Sequence, residues 1–211
     1  MVKGVYLMTI ESRIKILKDD LLNPLGPSIS TNQNYPFAIF HYPPHEEFKM
    51  REKLIELLDT LRNKAWVILN VDLFATLIEY LSIQEDGELI DALVQEEKLQ
   101  YKANKNNYSM PLNVLKNSLD IVLKNTDGYP KFVFDKILNK IEQTYISKTV
   151  IFLSRIGGLY PFYRTSTLLR MLDNGIQVPT IVLYPGERTE QRYLRFMGEM
   201  DADRDYRPRI Y

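Results

Sequence analysis

Apolar residues recur at Ile10, Ile14, Leu17 and Leu21, every three or four positions, between Thr9 and the pair Asn23-Pro24. That period is one face of an α-helix, with Thr9 as its capping hydroxyl and Pro24 as its stop. After a loop from Leu25 to Pro36 the pattern changes. Phe37-Ala-Ile-Phe-His41 is a short apolar run of strand length. Pro43-Pro44 ends it, and Glu46 and Glu47 open a helix to Arg62 whose Phe48, Leu54, Leu58 and Leu61 are expected inside. The β-then-α unit recurs at once in the strand Trp66-Val-Ile-Leu-Asn-Val71 and a helix from Leu73 to Leu81.

From Ile83 to Lys148 no strand-like run occurs. Helical spacing appears at Leu112, Leu115, Leu119 and Val122, and again at Phe134, Ile137, Leu138 and Ile141. This stretch reads as a helical insertion. The α/β pattern resumes with the strand Thr149-Val-Ile-Phe-Leu-Ser154, a helix entered at Pro161 and ended by Asn174-Gly175, and the strand Pro179-Thr-Ile-Val-Leu-Tyr184. The terminal Asp205-Tyr-Arg-Pro-Arg-Ile-Tyr211 reads as extended. Apolar strands alternating with helices predict an α/β fold, three-layer and Rossmann-like, with a mostly parallel sheet. We expect one structural domain with residues 1–82 as its first helix and β-α units, 83–148 as the insertion, and 149–211 completing the sheet.

Composition narrows the chemistry. Acidic and basic residues balance at 27 each among 211 residues, so no global field draws the chain to nucleic acid or an anionic membrane. No cysteine is present, which excludes disulfides, thiolate zinc sites and a cysteine nucleophile and fits a reducing compartment. No apolar stretch reaches the ~20 residues of a membrane span, and the expected location is cytoplasmic.

In open α/β sheets ligands lie beyond the C-terminal ends of the strands. That edge carries Asp72, Arg155, Gly157, Gly158 and Gly186, a candidate ligand edge. A Walker loop needs Gly-Lys-Ser/Thr, and Gly157-Gly158 is followed by Leu-Tyr-Pro instead. The dinucleotide pattern of three spaced glycines is absent too. The glycine pair then reads either as a tight turn or as a degenerate phosphate cradle. His41 and His45 have the spacing of a helical metal pair, but Pro43 and Pro44 lie between them and forbid the helix. Glu47-Phe-Lys49 and Glu96-Glu-Lys98 resemble the short part of a nuclease site, yet both fall on predicted helices. No Gly-x-Ser-x-Gly elbow occurs. The expectation is a protein without catalytic residues, metal or cofactor.

Of twelve arginines, nine lie between Arg155 and Arg209, and no lysine follows Lys148. Arginine meets carboxylate or phosphate through a rigid fork and stacks on aromatic rings, and Tyr160, Phe162, Tyr163, Tyr184, Tyr193, Phe196, Tyr206 and Tyr211 are interleaved with it. Candidate partner-binding residues are Arg155, Tyr160, Arg164, Arg195, Arg209 and Tyr211. Against this, the six arginines from Arg188 to Arg209 are matched by six acids, Glu187, Glu190, Glu199, Asp201, Asp203 and Asp205, which allows internal pairing instead.

The segments Val150-Ile-Phe-Leu-Ser-Arg-Ile-Gly-Gly-Leu-Tyr-Pro-Phe-Tyr-Arg164, Val178-Pro-Thr-Ile-Val-Leu-Tyr-Pro-Gly186, Leu194-Arg-Phe-Met-Gly198 and Tyr206-Arg-Pro-Arg-Ile-Tyr211 together resemble the BrxB family, accessory proteins of BREX phage-defence systems. Tyr35-Pro-Phe-Ala-Ile-Phe40 also looks like it, so the resemblance spans most of the chain outside the helical middle. It implies an assembly role beside a PglZ-like protein, a large ATPase and a DNA methyltransferase, with no direct nucleic-acid or membrane contact expected. The family has no established catalytic residues to carry over. A nucleotide- or phosphate-binding protein using the sheet edge is the alternative.

Overall fold

Thr9 caps the first helix as its sequence predicts: its side chain accepts from the Ser12 backbone N–H at 3.3 Å, and α1 runs Ile10–Leu21 with Ile10, Ile14, Leu17 and Leu21 buried. In this computed structural model the described residues are 8–29, 36–105, 107, 109–123, 125, 127–142, 148–163, 165–173, 175–188, 194–196 and 209–211. The strand β1 spans Phe37–Tyr42, α2 Glu47–Asn63, β2 Val67–Asp72 and α3 Leu73–Ser82. Three helices fill the middle, α4 over Leu89–Ala103, α5 over Ser109–Leu123 and α6 over Tyr129–Ile141. Then come β3 (Thr149–Ser154), a 3-10 turn (Ile156–Leu159), α7 (Thr165–Asp173), β4 (Thr180–Arg188), β5 (Leu194–Phe196) and β6 (Arg209–Ile210).

The sheet order is β2-β3-β4-β1-β6, all parallel, and β5 pairs antiparallel with the end of β4. The α/β, Rossmann-like reading with a parallel sheet therefore holds. β1 lies between β4 and β6, in register from Phe37↔Thr180 to Tyr42↔Pro185 on one side and at Ala38↔Arg209 and Ile39↔Ile210 on the other. Its even-numbered residues Ala38, Phe40 and Tyr42 join Val150, Phe152, Ile181 and Leu183 in one core with α1 and α2. The alternate residues Phe37, Ile39, Ile151, Leu153 and Val182 are buried as well, so the central strands lose water on both faces, as parallel strands require.

Several boundaries differ from the sequence reading. Phe48 does not face the core but is 82% exposed, and Met50 and Leu57 are buried with Leu54, Leu58 and Leu61. The reason is angular: six residues separate Phe48 from Leu54, 600° at 100° per residue, which turns Phe48 away from the stripe. Leu112 is likewise exposed, and α5 buries Pro111, Leu119 and Leu123. The helix after β3 starts at Thr165 rather than Pro161, because Phe162 and Tyr163 donate backbone N–H groups back to Leu159 O in a turn. β4 continues past Tyr184 to Arg188, since Gly186 enters the antiparallel pairing opposite Phe196.

The chain forms two compact units. One comprises Met1–Asn70, Thr144–Gly157 and Ile176–Tyr211; the other comprises Val71–Gln143 and Gly158–Gly175. Thus α7 groups with the helices of the middle stretch. In that second unit a Cβ on Gly175 would lie 2.5 Å from the far edge of the Phe134 ring, so a side chain there would force that ring to move. Tyr80, Tyr129, Phe132 and Tyr163 form its aromatic centre, with Tyr129 and Tyr163 edge to face at 5.2 Å.

Candidate functional site

β6 brings two of the arginine-aromatic candidates beside β1. Tyr211 N–H donates to Ile39 O at 2.8 Å and His41 N–H to Tyr211 O at 3.4 Å, extending the ladder by one residue. The Tyr211 ring is buried and its hydroxyl donates to Asp20 Oδ2 at 2.8 Å; Arg209 Nη1 approaches the same oxygen at 3.0 Å and also donates to Ser28 O at 3.2 Å. The Arg209 guanidinium lies over the Tyr211 ring at 4.7 Å. Burial, then the bond to Asp20, pushes the Tyr211 phenol up. Arg209 thus meets Asp20, an acid of α1, while the side chains of the six tail acids lie outside what is described.

Arg13 of α1 closes this seat from the other side. Its Nη1 donates to His41 O at 2.7 Å and to Tyr211 O at 3.2 Å, and its guanidinium stacks over Phe40 at 5.1 Å. Burial depresses its pKa while the Glu46 carboxylate opposes the shift. Next to it, Tyr42 donates to Glu47 Oε2 at 2.5 Å, and Glu47 pairs with Arg51 at 2.8 Å; burial and then this bond raise the Tyr42 phenol. The Glu47-Phe-Lys49 triplet is therefore divided, with Glu47 on Tyr42 and Lys49 on Glu11 at 3.0 Å. Arg13 and Asp20 carry no motif, so spacing alone could not have found them; a buried partner for a C-terminal tyrosine was the missing signal.

The remaining candidates fall elsewhere. Asp72 is the N-cap of α3, accepting from Ala75 N–H at 2.8 Å. Gly158 lies where a Cβ would meet the Phe74 Cβ, Cγ and ring at 2.9 Å, so its glycine serves close packing on the first turn of α3. Gly157 is in the same 3-10 turn, and the sharp backbone reversal before it is taken by Arg155 at φ +54°. Tyr160 follows that turn, and Gly186 sits buried in β4 where its pairing changes partner. Arg195 lies in β5 in register with Glu187. Arg164 lies outside the described residues. At the C-terminal end of β3, Ser154 Oγ donates to Asn70 Oδ1 of β2 at 2.9 Å. His41 ends β1 and His45 lies in the 3-10 turn Pro44–Glu46; among the described residues no three His, Asp or Glu side chains are grouped to hold a metal ion. No helix among the described residues is long and apolar enough to cross a membrane.

These features define an α/β parallel-sheet protein whose clearest polar constellation ties its own last strand to its first helix. The family model described as BREX protein BrxB matches residues 69–210, and the chain belongs to the BrxB family. The match runs through the helical stretch 83–148, which the motif resemblance had left out. A relative from Bacillus cereus (strain H3081.97), described as BREX protein BrxB, is 25% identical over 173 residues, covering 81% of this chain and 80% of that one. No solved structure matches the chain.

Proposed function

We propose that this protein is a non-enzymatic assembly component of a BREX-type anti-phage system, docking a PglZ-like protein and the system ATPase in the cytoplasm. The observation that carries the reading is the family match over residues 69–210, which spans two thirds of the chain and both sheet-building and helical parts. The alternative of a nucleotide site at the sheet edge finds less support. Asp72 caps α3, and Gly158 is required for packing against Phe74.

Mixing the purified chain with each protein encoded beside it, followed by size-exclusion chromatography, tests this directly. Co-elution with the PglZ-like protein is expected. Absence of co-elution with every neighbour overturns the adaptor role. A thermal-shift screen against nucleotides with magnesium addresses the alternative, since a ligand selective for the native state raises the midpoint by mass action.

A further inference from the structure

One contact in the seat of Tyr211 depends on a proton. Arg13 Nη1, besides donating to His41 O and Tyr211 O, lies 3.5 Å from Nε2 of the His41 ring. A guanidinium has donors alone and keeps its charge at ordinary pH, so this contact needs a lone pair on Nε2 and hence an uncharged imidazole. A proton on Nε2 turns the acceptor into a second donor and sets two cations side by side. Both side chains are half-buried, where salt screens such a pair less than on the open surface.

The surrounding groups decide whether that repulsion is neutralised. From α1 the facing charge is Arg13 itself. The 3-10 turn Pro44–Glu46 brings His45 and Glu46, and the Glu46 carboxylate, close enough to favour the Arg13 charge, is drawn by Lys49 at 3.8 Å. Glu47 of α2 is held by Tyr42 and Arg51, and Asp20 by the Tyr211 hydroxyl and Arg209. On β4 the neutral Tyr184 lies in register with His41. Each neighbouring acid thus has a cation of its own.

The consequence falls on β6, which is two residues long and has few rungs to resist detachment. The bonds from Tyr211 N–H to Ile39 O and from His41 N–H to Tyr211 O extend it, and Arg13 is the side chain that fixes Tyr211 O. With Arg13 and β6 released, an imidazole takes its proton near the ordinary value of about 6.5. The attached state binds fewer protons, so attachment is full above that pH and weakens as pH falls below it.

We propose that His41 is a proton-sensitive latch for the last strand: uncharged, it lets Arg13 hold Tyr211 against β1, and protonated, it drives Arg13 off and frees β6 from the sheet edge. The proposal does not depend on the assembly role.

Amide exchange of the full chain, followed by NMR and corrected for the intrinsic pH dependence, reads the latch directly. Protection of the Tyr211 and His41 amides should fall about tenfold from roughly pH 8 to pH 5.5 while the amides of β3 stay protected. The assignment is clean because the chain has two histidines, His41 and His45. His41→Gln places an uncharged amide at the site and should abolish the pH dependence, whereas His45→Gln should keep it. Arg13→Met removes the other cation; it should lower protection at every pH and leave no dependence on pH, an answer that does not require His41→Gln to fold. Protection indifferent to pH in the unsubstituted chain overturns the proposal, as does a dependence that survives His41→Gln or Arg13→Met, or one that disappears in His45→Gln. Loss of protection in β3 together with β6 would be general acid unfolding and overturns it too.

Discussion

Two glycine-and-tyrosine features show how much a single atom decides in this chain. Because a Cβ at position 158 would lie 2.9 Å from the Phe74 Cβ as well as its ring, rotating Phe74 cannot relieve the contact. Gly158→Ala should cost about 1–3 kcal/mol, measured by urea unfolding, and Phe74→Ala in the same chain should recover part of the overpacking. The tyrosines act through titration. Burial raises the phenols of Tyr42, Tyr129, Tyr163 and Tyr211 above the ordinary value of 10. A proton held more tightly in the native state favours folding below the unfolded pKa and is a lost advantage as pH rises past it. Stability should therefore fall as pH climbs above about 10, and absorbance at 295 nm should show these four phenols ionising together with unfolding. The Tyr163 hydroxyl is buried and makes no hydrogen bond among the described residues, which adds to the cost of that position.

At the scale of elements, most helices and strands were legible because burial obeys simple periods. The stripe Ile10-Ile14-Leu17-Leu21 and the all-buried run Thr149–Ser154 needed nothing beyond spacing. Legibility failed where the deciding contact was distant in sequence. Phe48 is apolar and sits at a helix start, which predicts core, but its angle lies off the buried stripe. The partners of Tyr211 and Arg209 lie in α1, 191 residues from Tyr211, where no local pattern points to them. Two substitutions follow from the caps and latches. Asp72→Ala should destabilise α3 by about 1 kcal/mol, and Asp72→Ser should recover most of it, read from thermal or denaturant unfolding. Arg13→Met keeps the apolar stem over Phe40 but removes the donor to His41 O and Tyr211 O. Hydrogen exchange at residues 209–211 should then accelerate while that of β3 stays slow.

For the whole molecule, the hydrophobic pattern suggests three consecutive stretches of one domain, and the contacts group the chain into two compact units. The second unit needs Gly158–Gly175 as well as Val71–Gln143, because Tyr163, Leu168 and Leu172 are buried and α7 packs on α6. A fragment of residues 71–143 should therefore melt broadly and with reduced helicity by circular dichroism, whereas the full chain should not. The family relation, by contrast, was legible from motifs such as the segments around Gly157 and Gly186, and the family match covers both.

The position of β1 has a temporal meaning. Its two neighbours in the sheet are β4 and β6, drawn from residues 180–188 and 209–210. During synthesis an apolar strand near the start of the chain must wait for some 140 further residues before either edge can pair, roughly ten seconds at ordinary elongation rates. Throughout that interval Phe37-Ala-Ile-Phe40 is an open template for any other nascent strand. Yield of soluble protein should consequently depend on chaperone supply and temperature more steeply than the stability of the finished fold would suggest.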